Sequence, residues 1–87
     1  MDTETKQQII DDYKQHEGDT GSPEIQIALL TARINQLTEH LRSHKRDYST
    51  RQGLMRLVGR RGAMLRYLNG KDEVRYSALI QKLGLRR

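Results

Sequence analysis

The chain has no cysteine, no tryptophan and no phenylalanine, only one proline, and four tyrosines as its sole aromatics. Without cysteine there can be no disulfide framework and no zinc–thiolate site, a usage that suits a reducing compartment. The longest apolar run, Ile27 to Leu30, is far too short to cross a bilayer, so no membrane association is expected. The acidic, polar N-terminus carries no secretory pattern. With so few aromatics, reading of single strands by serial base stacking is not expected. Catalytic constellations are also missing. There is no cysteine nucleophile, no phosphate-loop motif and no glycine fingerprint after a strand. Serine, histidine and aspartate are present, but on a helical rod they would not converge in a cleft. An enzyme is therefore not expected, nor is a cofactor. His40 and His44 are four residues apart and could share a metal, but no third ligand stands at suitable spacing, so no metal site is expected.

What the chain has is charge, unevenly placed. Its net charge is +5. Residues 1–24 hold seven acids (Asp2, Glu4, Asp11, Asp12, Glu17, Asp19, Glu24) against two bases. Residues 33–66 hold nine bases, eight of them arginine, against Glu39 and Asp47, a local balance of +7. A cationic stretch of this kind suits a polyanion. Arginine's planar fork favours bidentate phosphate contact and guanine edges.

Only 34% of the 87 residues are apolar, which fits one small domain spanning 1–87. Long helices zipped along a seam make such a core economically. The start of the longest is well marked. Gly21 permits a sharp turn, Ser22 can cap, Pro23 suits the first helical position, and Glu24 meets the positive end of the dipole. Ile27, Leu30, Ile34, Leu37 and Leu41 repeat at three and four, the seam pattern of one helix lying along another. A second, polar line runs through Gln26, Arg33 and His40 at intervals of seven. Such residues on an exposed face are more often solvated than functional, yet no helical core requires that line.

A short helix is expected over 4–15, capped by Asp2 or Thr3, with Ile9, Ile10 and Tyr13 as a narrow apolar face that docks loosely. Residues 43–49 read as a turn, short enough to force an antiparallel hairpin. The next helix is expected over 50–69, with Ser49 and Gln52 resembling a capping box and Asp47 a competing cap. Its inward face is Leu54, Leu57, Val58, Met64, Leu65 and Leu68, and Asn69-Gly70 would stop it. Asp72 can cap a last helix over 73–83, with Tyr76, Leu79, Ile80 and Leu83 buried and Gly84 closing it, before the basic tail Leu85-Arg86-Arg87. The fold class is thus all-α, a long helical hairpin with a short helix at each terminus. Thr20, Gly21 and Ser22 offer a hydroxyl, a glycine backbone and a helix start to a phosphate or ribose, or they form a plain helix cap. Tyr67 falls seven after Arg60 and could face a sugar or base, or lie in the seam. Shape and backbone recognition of structured RNA fits these groups. A DNA-binding regulator would need a short recognition helix. A helical protein-interaction module would use the seam between chains; a free monomer is expected instead.

The blocks Asp19-Thr-Gly-Ser-Pro-Glu-Ile-Gln-Ile-Ala-Leu-Leu-Thr, Glu39-His-Leu, Val58-Gly-Arg-Arg, Leu65-Arg-Tyr-Leu and Lys82-Leu-Gly-Leu-Arg-Arg resemble bacterial small-subunit ribosomal protein fifteen from about residue 5 to the end. The resemblance implies a structural, non-enzymatic protein that binds small-subunit ribosomal RNA early in assembly. In that family one site grips a three-way junction, and its residues match Thr20, Gly21, Gln26, Arg33 and Tyr67, beside Ser22. A second site reads a duplex minor groove with a wobble pair, and its residues match His40, Asp47 and Thr50. His44, Lys45, Arg46, Arg51, Arg60 and Arg61 would supply phosphate contacts and an intersubunit bridge to large-subunit ribosomal RNA. The resemblance further implies help in forming the subunit platform, with its other proteins as indirect partners, repression through its own messenger RNA leader in some members, and a place in the cytoplasmic ribosome, an organellar one being equally compatible. The chain departs from the family at Tyr48-Ser49-Thr50-Arg51-Gln52, where two imidazoles are replaced and the hydroxyl survives as Thr50. It departs again at Gly62 and Ala63, which interrupt a basic run, so fewer phosphate contacts are expected from that helix.

Overall fold

Side chains at the helix ends decide where each element begins. The computed structural model describes residues 3–18 and 21–85 as four helices: α1 Thr3–Tyr13, α2 Pro23–Ser43, α3 Tyr48–Lys71 and α4 Glu73–Leu83. Among the described residues there is no strand. Asp2, Asp19, Thr20, Arg86 and Arg87, all named above, lie outside them.

Ser22 caps α2 as expected, its hydroxyl accepting from the Ile25 N–H at 3.4 Å with Pro23 in the first turn. The helix then runs unbroken for 21 residues, about 32 Å at 1.5 Å per residue. At α3 the competing cap wins. Asp47 accepts from the Thr50 N–H at 3.1 Å, while Ser49 lies inside the helix. Asp47 prevails because its second oxygen is fixed as well, by the Thr50 hydroxyl and by His40, so the carboxylate is held at the helix start from two sides. Helix α3 also continues through Asn69-Gly70 to Lys71. Its end is set by Asp72, whose N–H reaches the Leu68 carbonyl at 2.8 Å. The Asp72 side chain accepts from the N–H groups of Val74 and Arg75, both at 3.1 Å, and so opens α4. One residue closes a helix and starts the next. Gly84, at φ 71°, closes α4 in the left-handed conformation, and Leu85 bonds back to the Ile80 carbonyl at 3.0 Å.

The hairpin is antiparallel. His40 meets Asp47, Thr31 meets Arg61, and Ile27 packs in one cluster with Leu68. That cluster is completed by Leu79, with Tyr13, Met64, Leu65, Tyr76 and Leu83 packed around it. Of the α2 seam, Ile27 and Ile34 are buried, while Leu30, Leu37 and Leu41 are half-buried, so the core thins toward the hairpin turn. Val58 is exposed rather than inward: on α3 the seam is carried by Leu54 and Leu57. No residue of α1 is buried. It is held by Tyr13, over whose ring the Lys82 ammonium lies at 4.3 Å, and by a hydrogen bond from Lys82 to the Asp12 carbonyl. Two further polar ties among the described residues join distant segments. Arg75 donates to both carboxylate oxygens of Glu24, each at 2.6 Å. Arg61 donates to the Thr31 hydroxyl at 3.3 Å. The molecule measures 40 × 29 × 18 Å, an elongated body with α2 and α3 as its spine.

Candidate nucleic-acid interface

The two ends of α2 carry different chemistry. At the N-terminal end Gly21 is exposed, and its carbonyl accepts from the Gln26 amide at 2.8 Å. The Gln26 side chain is thereby turned back over the knuckle. Thr20, expected beside it, lies outside the described residues. Further along, the exposed Arg33 donates to Gln36 Oε1 at 2.6 Å. Tyr67 is exposed on α3, and Lys71 donates to its hydroxyl at 3.1 Å with the ammonium 5.5 Å from the ring centroid. The free structure thus pairs Arg33 and Tyr67 each with a neighbour on its own helix. Lys71 escaped notice in the sequence, although its position four residues after Tyr67 is one where helical side chains meet.

At the hairpin end two residues on opposite sides of the turn, His40 and Thr50, converge on the Asp47 carboxylate. Asp47 Oδ2 accepts from the Thr50 hydroxyl at 2.6 Å and stands 2.9 Å from His40 Nε2, and Oδ1 accepts the Thr50 N–H. These bonds, that from the Thr50 hydroxyl foremost, lower the Asp47 carboxyl from the ordinary range to about 2. The group is therefore an ionised acceptor at any physiological pH. The His40 ring stacks face to face on His44, centroids 4.2 Å apart and planes 1° from parallel. Stacked rings do not direct their nitrogens at a common point, and among the described residues no group of three metal-ligating side chains is gathered.

The basic residues divide. Lys45, Arg46, Arg51 and Arg60 are exposed, as is His44. Arg51 donates to the Lys45 carbonyl at 2.6 Å, which pins the turn. Arg61 is only half-exposed and ties α3 to α2 through Thr31, so part of its role is structural. Helix α3 carries six bases and no acid, giving the hairpin a one-signed face. Gly62 stands over no neighbour but the Arg66 guanidinium, 3.4 Å from where its Cβ would be. No helix of the described residues is long and apolar enough to cross a membrane.

Comparison with known proteins agrees in length and content. The family described as Ribosomal protein S15 matches residues 6–86. Proteins named small ribosomal subunit protein uS15 from Oleidesulfovibrio alaskensis, Micrococcus luteus and Kocuria rhizophila are 66%, 62% and 61% identical over 87 residues, covering 100% of this chain and 98% of each relative.

Proposed function

Because the chain belongs to the ribosomal protein S15 family, a structural and non-enzymatic component of the small ribosomal subunit, we propose that it works as a rigid two-ended clamp on branched ribosomal RNA. Its location is the cytoplasmic ribosome, in keeping with the bacterial sources of these relatives.

The observation that carries the reading is the closed His40–Asp47–Thr50 set at the hairpin turn. Asp47 accepts the hydrogen bond donated by the Thr50 hydroxyl, which leaves the Thr50 oxygen with lone pairs of fixed direction. A fixed acceptor in a wide, shallow RNA minor groove suits the one donor on the base edges there, the exocyclic amino group of guanine. At the other end, Gly21, Ser22 and Gln26 form a polar knuckle that suits ribose and phosphate, Thr20 is assigned to the same contact from the sequence, and Arg33 and Tyr67 flank a junction. Ser22 and His40 are 18 residues apart on one helix, about 27 Å, so the two contacts hold two arms of RNA at a set separation. His44, Lys45, Arg46, Arg51, Arg60 and Arg61 neutralise phosphates. The same reading extends to assembly of the subunit platform, to contact with large-subunit RNA across an intersubunit bridge, and to a leader in its own messenger RNA as a ligand of like shape.

The test compares a three-way junction RNA with an unbranched duplex of equal length. Junction binding is expected to be tighter, and equal affinities would sink the two-ended reading. Arg33→Ala should weaken the junction complex more than Arg86→Ala. On duplex arms the log–log salt slope should be about −0.9 for each phosphate neutralised.

A further inference from the structure

The outer face of α3 exposes two large apolar side chains that the fold does not use. Tyr48 is 65% exposed and Met55 64%. They are seven residues apart, so they stand in line along the helix, and Arg51, Gln52 and Arg56 fill the positions between and beside them. The five line an open groove of about 560 Å³. Arg51 is not free to swing away: its Nη2 is bonded to the Lys45 carbonyl, and its guanidinium carbon lies 6.0 Å from the Tyr48 ring centroid. One turn beyond Met55 the line continues at Gly59, where a Cβ would meet nothing within 4 Å, so a polymer backbone can approach the helix closely there. Exposed apolar patches of this kind mark binding surfaces.

The occupant is constrained by charge. Helix α3 has no acidic residue, the groove is lined by two arginines and no acid, and Asp47, the acid just before the helix, is turned to Thr50 and His40. A ligand that is flat and apolar in one part and anionic in the next matches this arrangement. We propose that Tyr48, Arg51, Met55 and Arg56 form a seat for one unpaired RNA nucleotide, its base lying on the Tyr48 ring and the Met55 side chain, its flanking phosphates on the two guanidiniums. The seat adjoins the hairpin turn and rests on the RNA-binding reading above. It differs from that site in kind, because it takes an unstacked base where the turn meets a paired groove. A single platform is compatible with the shortage of aromatics, which excludes serial stacking along a strand and not one stacked base.

The test uses the full chain with its methionine methyls ¹³C-labelled. The ligands are a single-stranded hexamer with one adenine among uridines, the same hexamer with every base removed, and an acidic peptide containing phenylalanine. The intact hexamer should shift the Met55 methyl upfield by ring current and leave the half-buried Met64 methyl in place. Tyr48→Ala should weaken hexamer binding about tenfold, the size expected for one base on one ring, and Tyr48→Phe should restore it. Equal Met55 shifts with the abasic hexamer would overturn the seat in favour of phosphate contact alone. A Met55 response to the peptide and not to RNA would overturn it in favour of a protein partner. Junction RNA binding is measured on the same samples. A silent Met55 beside normal junction binding defeats the seat alone, whereas a normal hexamer response without junction preference defeats the two-ended clamp alone.

Discussion

Glu24 and Arg75 stand 51 residues apart in the chain and are joined by two 2.6 Å hydrogen bonds in a fork-to-fork pair. The pair locks the start of α2 to the start of α4. The two partners are not equally placed. The Glu24 side chain is 5% exposed and that of Arg75 35%. Removing the arginine leaves a buried carboxylate without a partner, whereas removing the carboxylate leaves a guanidinium that water can reach. Arg75→Ala should therefore destabilise by about 3 kcal/mol, and Glu24→Gln by about 1–2 kcal/mol. Urea unfolding midpoints at neutral pH would show the order, and the reverse order would refute the account.

Acid should loosen the hairpin turn within a defined window. Asp47 has its pKa lowered to about 2 by the Thr50 hydroxyl first, then the Thr50 N–H and His40. A carboxylate depressed in the folded state contributes stability that is complete above its unfolded pKa, near 3.9, and is lost as pH falls toward 2. Asp47→Asn should flatten the stability curve between about pH 4 and 2. Thr50→Val should raise the Asp47 pKa, and Thr50→Ser should leave it low. Carboxyl chemical shifts followed through an NMR titration measure each value directly.

Adjacent arginines on α3 should behave differently. Arg60 is exposed, whereas Arg61 is half-exposed and bonded to the buried Thr31. Arg61→Ala should lower stability by about 1 kcal/mol. Arg60→Ala should leave the melting temperature nearly unchanged and reduce the salt slope of RNA binding by about 1. Thermal melts and binding at several salt concentrations separate the two roles.

The attachment of α1 should depend on one ammonium. No residue of α1 is buried, and Lys82 provides both the cation over Tyr13 and the hydrogen bond to the Asp12 carbonyl. Lys82→Met keeps the length of the side chain and removes its charge. Amide exchange should then speed up across Thr3–Tyr13 and stay unchanged in α2 and α3.

Much of this architecture was legible because it is local. Ser22-Pro23, Asp72 and Gly84 act within a turn of themselves, and the three-four spacing of Ile27 and Ile34 marks the buried seam whatever lies opposite. Misreadings arose where a local signal competed with a distant partner. Ser49 with Gln52 has the spacing of a capping box, but Asp47 is also held by His40 from across the turn. Asn69-Gly70 has the composition of a helix stop, yet Leu68 is anchored in the core and Asp72 provides the closing bonds, so the backbone stays helical through the glycine. Val58 has the hydrophobicity of the seam but falls outside it. The Glu24–Arg75 pair left no trace in spacing. Periodicity placed His40 on the polar line of α2. The expectation that Asp47 and Thr50 belong with it came only from the resemblance to a known family, and their convergence depends on the geometry of the turn.

Asp72 forms the whole joint between α3 and α4. A hinge without slack acts as a ruler. One residue added there would rotate the last helix by about 100° and swing Arg75 out of register with Glu24. Insertions that a looser connection would absorb should be forbidden at this position.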